Sequence, residues 1–335
     1  MILVTGGTGL IGSHLLFDLV QGNTPVRAIY RDKSKIAQVE KVFSYYHSNP
    51  KPLLDKIEWL AADILNIGSL EDAFEGVSHV YHCAALVSFA PKNYNALFEV
   101  NYQGTQNIVN LCLQFNIEKL LYVSSVAAIG TDDKIPVTTE ENTWKNNPDN
   151  SNYSISKYAA ELEVWRGTEE GLNAAMVNPT IVLGPGFWTE GSSAIFGAVA
   201  KGLPFYSLGS NSFVDVRDVS KTMLALMESD ISAQRYILAS ETISYKSLFE
   251  KIALGLKVKP PKKAAAKWMG ELLWRVERLR TALFGGKPFI TKETARSAQR
   301  NSTFSSAKIR NEMGLTFRTL EETISDFSAL YLKEH

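Results

Sequence analysis

Apolar residues along this chain gather into short runs separated by longer amphipathic stretches. The first run, Ile2 to Val4, ends in a glycine-dense turn, and Leu10 to Val20 follows with the spacing of an amphipathic helix. Further apolar runs fall at 25–31 (PVRAIYR), 57–62, 79–87 (HVYHCAALV) and 119–125 (KLLYVSS), and each reads as a buried strand. Asn95 to Phe115 reads as one long helix, and another helix opens at Tyr153. Apolar runs divided by helical patterns predict an α/β chain: a doubly wound parallel sheet with helices on both faces and right-handed crossovers. From about residue 179 the regularity loosens, and NPTIVLGPGFWTEGSS reads as a loop leaving a sixth strand.

In such a sheet a ligand sits beyond the carboxyl ends of the strands. The turn after the first strand has the composition for one. Gly7, Gly9 and Gly12 fit G-x-G-x-x-G, and Gly6, Gly9 and Gly12 fit G-x-x-G-x-x-G. The early glycines permit a tight turn, Gly9 lets a pyrophosphate reach the backbone, and Gly12 lets the helix pack closely on the strand. Around Thr8, Leu10 and Ile11 the helix N-terminus offers free amides and positive dipole to an anion. The turn therefore predicts a dinucleotide site on a Rossmann sheet. At the end of the second strand, Tyr30-Arg31 stands where an acid would bond a ribose 2′-hydroxyl. Arg31, helped by Lys35, suits a 2′-phosphate and favours NADP; Asp32 keeps NAD open, and a solvated strand-end charge is the plainer reading of Arg31. Asp63, with Ile64 behind it, could take the adenine amino group or cap a turn. Cys83, Ala84 and Ala85 leave room for a cofactor against the backbone. His82 reads as a packed strand residue, because no second ligand clusters with it, and no metal site is expected.

Charge narrows the range of partners. Among 335 residues, 35 Lys and Arg balance 35 Asp and Glu, so nothing points to nucleic acid. Two cysteines, Cys83 and Cys112, in apolar settings suit a reducing compartment without disulfides. A first strand beginning at Ile2 leaves no room for a cleavable signal peptide, and no apolar run reaches membrane-spanning length. A cytoplasmic location is the expectation. Residues 262–284 read as an amphipathic helix with Trp268, Met269, Leu272, Leu273, Val276, Leu279 and Leu283 at helical spacing. Its polar face is basic: Lys262, Lys263, Lys267, Arg275, Arg278 and Arg280 against Glu271 and Glu277. Packing on the second lobe is the plainer reading; a homodimer contact or a membrane-surface helix is the sharper one.

Tyr153-Ser154-Ile155-Ser156-Lys157 carries the chemistry. Tyr153 and Lys157 are four apart and share a helical face. An ammonium beside a phenol stabilises phenolate, so the tyrosine could exchange a proton with a carbonyl or alcohol oxygen near neutral pH. Ser125, 28 residues earlier at a strand end, could hold that oxygen. The chain resembles the extended short-chain dehydrogenase/reductases, on TGGTGLIG, Asp63, HCAALV, Asn101, YVSS, YSISK, NPTIVLGPG and FVDVRDVS. Within them it is most similar to the dihydroflavonol 4-reductase-like branch, which includes hydroxysteroid dehydrogenases. The resemblance implies Ser125, Tyr153 and Lys157 as catalytic residues, with Ser124 as the fallback for Ser125. It implies cofactor contacts from Asn101 and, on the nicotinamide side, Pro179, and an NADP(H)- or NAD(H)-dependent ketone reductase or alcohol dehydrogenase.

Residues 1–178 would then form the NAD(P)-binding Rossmann domain and 179–335 a smaller mixed substrate lobe, parts of which return to the sheet. Segments 86–95, 126–150, 184–191 and 202–209 would border the substrate. Their aromatics, Phe89, Phe187, Trp188, Phe205 and Tyr206, suggest an apolar or ring-bearing small molecule, or else ordinary core. A sugar or nucleotide-sugar epimerase or dehydratase is the alternative, weakened by Val126-Ala127 where dehydratases carry Asp-Glu. Asn211 and Ser212 stand where sugar-nucleotide enzymes carry Arg. A non-enzymatic dinucleotide sensor is the third reading.

Overall fold

The structure, a computed structural model, describes residues 1–131, 135–285 and 290–335; residues 132–134 of the expected cleft segment 126–150 and the Lys267 side chain lie outside the described residues. Its strands are β1 Ile2–Thr5, β2 Val26–Tyr30, β3 Ile57–Ala61, β4 His79–His82, β5 Lys119–Val123, β6 Ala174–Pro179, β7 Ile181–Leu183, β8 Phe205–Tyr206, β9 Ser210–Asp215, β10 Gln234–Leu238, β11 Glu241–Ser244 and β12 Lys263–Ala264. Seven of them form one sheet in the order β10-β6-β5-β4-β1-β2-β3. Every neighbouring pair in it is parallel.

The central strands are largely apolar because both faces are covered. Along β5, Leu120 and Tyr122 enter one core while Leu121 and Val123 enter the other. Leu3 and Val4 of β1 divide in the same way. Helices Leu10–Leu19 and Val216–Glu228 pack together over one face, and Gly104–Gln114 and Asn152–Glu169 over the other. The chain runs outward from β1 through β2 to β3 and then returns to place β4 on the other side of β1. That reversal opens a crevice above the carboxyl ends of β1 and β4.

Three elements depart from the periodicity. The expected helix 95–115 is divided into Tyr94–Leu97, a π-helical turn Phe98–Gln103 and Gly104–Gln114. Ile64 lies so close to Gly104 that a β-carbon there would strike its side chain. The expected loop after β6 begins with β7, which joins β9 and β11 in a second, mixed sheet. The amphipathic stretch 262–284 starts with β12, paired to β8, before helix Lys267–Phe284. Strand β10, drawn from the second half of the sequence, is an edge of the large sheet beside β6.

Candidate active site

The glycine turn is built as close packing requires. Gly6 has φ +68°, a left-handed conformation, and a β-carbon there would sit 2.5 Å from the Ala84 nitrogen. A β-carbon on Gly12 would fall on the Gly6 carbonyl, whereas one on Gly9 would meet only that carbonyl, at 3.4 Å. Gly9 opens helix Leu10–Leu19, and no side chain caps it. Gly6 and Gly12 thus bring strand, turn and helix together, and Gly9 leaves the approach to the first-turn amides open. This arrangement fits the pyrophosphate of a nicotinamide dinucleotide.

The remaining strand-end residues spread along the same rim. Arg31 follows β2, with its guanidinium largely exposed and 4.0 Å from the Asp63 carboxylate beyond β3. Asp63 also accepts from the Leu65 amide at 3.0 Å and so caps its own turn. Asp32 is occupied locally, accepting from the Ser34 amide at 3.0 Å and hydroxyl at 2.6 Å, which lowers its pKa. Lys35 is exposed one turn on, and the Ile64 carbonyl is held by Asn107 at 2.9 Å. Cys83, Ala84 and Ala85 follow β4, and burial pushes the Cys83 thiol up to about 12. Pro179 ends β6 and is buried. Asn101, in the π-helical turn, spends its amide on the loop after Ala85 and on helix Asn152–Glu169. It accepts from Leu86 N (2.7 Å) and donates to Leu86 O (3.0 Å) and to Ser156 (2.9 Å).

The paired serines after β5 have separate surroundings. Ser124 points into the protein and donates to Glu161 at 2.6 Å. Ser125 caps the short helix Val126–Ala128, accepting from Ala127 N at 3.1 Å, and its hydroxyl favours the ionised form of the Tyr153 phenol. Tyr153 lies in the first turn of helix Asn152–Glu169, which Ser151 caps through the Ser154 amide. The ring of Phe89 packs edge-on against Tyr153, centroids 5.6 Å apart.

Lys157 departs from the expected role. Its ammonium donates to the Tyr122 hydroxyl at 2.7 Å and the Val123 carbonyl at 2.9 Å, and it lies over the Tyr122 ring. Burial lowers its pKa to about 7, against the pull of Glu161. The phenol of Tyr153 is accordingly not depressed: burial raises its pKa, and only Ser125 opposes. An ammonium has three N–H groups, so one remains to point toward a ligand.

Tyr122 extends this contact across the core. Its ring stacks on His82, centroids 5.4 Å apart, and His82 Nε2 meets Thr105 at 3.0 Å. His82 Nδ1 meets Thr5 at 2.7 Å, and Thr5 accepts from the Ala84 amide at 3.2 Å. Thr105 gives its only proton to the Asn101 carbonyl at 2.6 Å, so His82 Nε2 donates to Thr105 and Nδ1 accepts from Thr5. His82 is thus a neutral core residue, as read from sequence, with its pKa lowered to about 3 by burial and by Lys157. Hydrogen bonds through Thr105, His82 and Thr5 reach the loop beneath the glycine turn, and ring stacking sets Tyr122 and its Lys157 contact beside them.

Several residues with a bearing on the site had no sequence motif to mark them. Tyr122 lies three positions before Ser125, and Thr105 four beyond Asn101. Glu161, four beyond Lys157, gathers Ser124, Asn178 at 2.8 Å and Arg235 at 2.7 Å. Of the cleft aromatics, only Phe89 packs on Tyr153. Trp188 is core, buried against Phe196 and Tyr331 with its indole N–H on Glu334. A separate concavity of about 840 Å³ lies beside another flank of helix Asn152–Glu169, lined in part by Trp144, Tyr158, Trp165, Arg235 and Lys308. It includes none of Ser125, Tyr153 and Lys157.

Sheet order, glycine turn and a Ser-Tyr-Lys set at one rim define an NAD(P)-dependent enzyme of the short-chain dehydrogenase/reductase fold. Residues 2–239 match the NAD dependent epimerase/dehydratase family, and the chain belongs to it. It is 27% identical over 331 residues to a putative dihydroflavonol 4-reductase of Synechocystis sp., across 96% of this chain and 92% of that one. The crystal structure of gox2253 superposes with a TM-score of 0.80 at 27% identity, covering 100% of this chain and 98% of the other. The Bordetella bronchiseptica enzyme WbmG, solved in complex with NAD and UDP, shares the fold with a TM-score of 0.75 at 18% identity. That likeness covers 99% of this chain and 95% of WbmG.

Proposed function

We propose that this enzyme is an NADP(H)-preferring oxidoreductase that reduces a ketone on an apolar or ring-bearing small molecule, with Tyr153 as the proton donor. One observation carries the reading: a half-buried Tyr153 phenol, its pKa raised by burial and opposed by Ser125, faced by Phe89 at the rim that begins with the glycine turn. Burial keeps the phenol protonated at neutral pH. That state gives a proton to a carbonyl oxygen; the reverse oxidation needs the phenolate and is favoured at alkaline pH. When bound, the nicotinamide supplies the hydride. Ser125 orients the substrate oxygen and stabilises charge as it develops there. Lys157 directs its remaining N–H to the nicotinamide ribose, held in place by Tyr122 and Val123.

The cofactor assignment follows the order of strand ends. Gly6, Gly7, Thr8, Gly9, Leu10, Ile11 and Gly12 take the pyrophosphate, and Asp63 with Ile64 flanks the adenine. Arg31 and Lys35 meet a 2′-phosphate. Cys83, Ala84, Ala85 and Pro179 border the nicotinamide half, with Asn101 holding the loop that follows Ala85. Residues 1–178 then serve the cofactor, and 179–335 chiefly the substrate. The sugar-nucleotide alternative lacks support at β9: Asn211 turns its side chain onto the Ser212 amide, and Ser212 pairs with Thr242.

The test is a panel of ketones and alcohols, following nicotinamide absorbance with NADPH and NADH, for the wild type and Tyr153→Phe. The expected outcome is ketone-dependent oxidation of NADPH, reduced by roughly 10²–10⁴ in the variant while cofactor affinity is unchanged. Turnover of a sugar without net redox change, and of no ketone or alcohol, would overturn it.

A further inference from the structure

Helix Lys267–Phe284 is amphipathic in the inverted sense. At 100° per residue, Trp268, Leu272, Val276, Leu279 and Leu283 fall within an arc of about 80°. An ordinary surface helix turns such a stripe inward. Here these five residues are 53–67% exposed, and Leu273 and Phe284 beside them are 49% and 82% exposed. The face turned to the protein is built from Gly270, Trp274, Glu277 and Thr281, not from the stripe. A β-carbon on Gly270 would lie 3.7 Å from the Ala295 side chain, and Trp274, Glu277 and Thr281 share that side and are only partly exposed. Helix Lys292–Ser297 provides the packing partner, and Arg296 reaches back to Glu271 at 2.9 Å. Substrate-lobe packing, the plainer reading from sequence, therefore engages the wrong face to cover the apolar stripe.

The charges around the stripe indicate what would cover it. Segment 262–284 carries six Lys and Arg against two Glu, a net +4, in a chain whose total is zero. Arg275 and Arg280 fall on opposite flanks of the stripe. Lys262 and Lys263, both exposed, lead into the helix on the short β8–β12 ribbon. Both acids are held within the protein: Glu271 by Arg275, Arg296 and the Trp274 indole, and Glu277 by Arg280. Pairing two copies of this face would set +4 against +4. An anionic surface with an apolar interior satisfies both features together.

We propose that helix Lys267–Phe284 is a membrane-docking element. It would lie in the plane of an anionic lipid surface, with the Trp268–Leu283 stripe among the acyl chains and the basic flanks among the headgroups. Co-sedimentation of the full-length protein with vesicles tests this, comparing phosphatidylcholine mixed equally with phosphatidylglycerol against phosphatidylcholine alone. The wild type should pellet roughly tenfold more with the anionic vesicles, and less at high salt. Leu272→Glu combined with Leu279→Glu should lose that binding by roughly tenfold or more with an unchanged thermal melt, because both positions are exposed. Lys262→Glu with Lys263→Glu and Arg278→Glu, which leaves the stripe intact, should lose it too, and decides the matter if the first variant fails to fold. No pelleting at low salt, or pelleting that survives the charge reversals, would overturn the proposal. So would a dimer by light scattering that the leucine changes dissociate, without vesicle binding.

Discussion

Arg31 and Asp32 are adjacent and both exposed, but they are engaged differently. Asp32 Oδ1 accepts twice from Ser34 in its own turn, while the Arg31 guanidinium reaches the rim 4.0 Å from Asp63. A charge-assisted bond to a 2′-phosphate contributes about 1.5–3 kcal/mol, or roughly ten- to a hundredfold in affinity. Arg31→Ala is therefore expected to raise KM for NADPH by at least roughly tenfold and to leave KM for NADH within about twofold, as initial-rate kinetics with the two cofactors would show. Sequence spacing was sufficient to mark Arg31, Tyr153 and Lys157. It could not separate Ser124 from Ser125, because neighbours on a strand end differ only in the face they take. Nor could it show where the Lys157 ammonium goes. The competing acceptor, Tyr122, is distant in sequence and reaches Lys157 only once β5 is packed under the helix.

Helix Asn152–Glu169 bears Tyr153 and Lys157 in its first turns and a structural carboxylate, Glu161, in the next. Glu161 is buried and joins three strands at once, through Ser124 after β5, Asn178 in β6 and Arg235 in β10. Arg235 in turn donates to the carbonyls of Glu140 and Asn142. Glu161→Ala leaves the guanidinium and two polar side chains without their shared partner. It should cost about 3–5 kcal/mol in urea unfolding, with Glu161→Gln losing less. The face was legible, since Glu161 follows Lys157 by one helical turn. Its partners were not, because they converge only in a sheet ordered β10-β6-β5. The same limit hid the π-helical turn at Phe98–Gln103. Apolar periodicity ran through it unbroken, and the contact that accompanies it comes from Ile64 in a distant loop.

Across the molecule, two buried histidines tie stability to pH. His82 and His14 have folded pKa values of about 3 and about 4, lowered chiefly by burial from 6.5. Below pH 6.5 the unfolded chain takes up protons that these rings refuse, so stability falls on acidification, by up to about 1.4 kcal/mol per pH unit for each. Denaturant unfolding of the cofactor-free protein should show the decline between pH 6.5 and 5.5, above the ordinary carboxylate range, and a flat profile there would contradict it. Doubly wound architecture was plain from alternating runs in the first half. The second half was less legible, because β7, β9 and β11 are short strands of a mixed sheet set among turns. The position of β10 also sets an order of events during synthesis. At about 5–20 residues per second, β6 emerges seconds before β10, with its edge bare and Glu161 still without Arg235. For that interval the nascent chain is a six-stranded sheet with an open, apolar margin. A ribosome-arrested chain displaying only residues through 178 should be far more protease-sensitive than one displaying residues beyond 238.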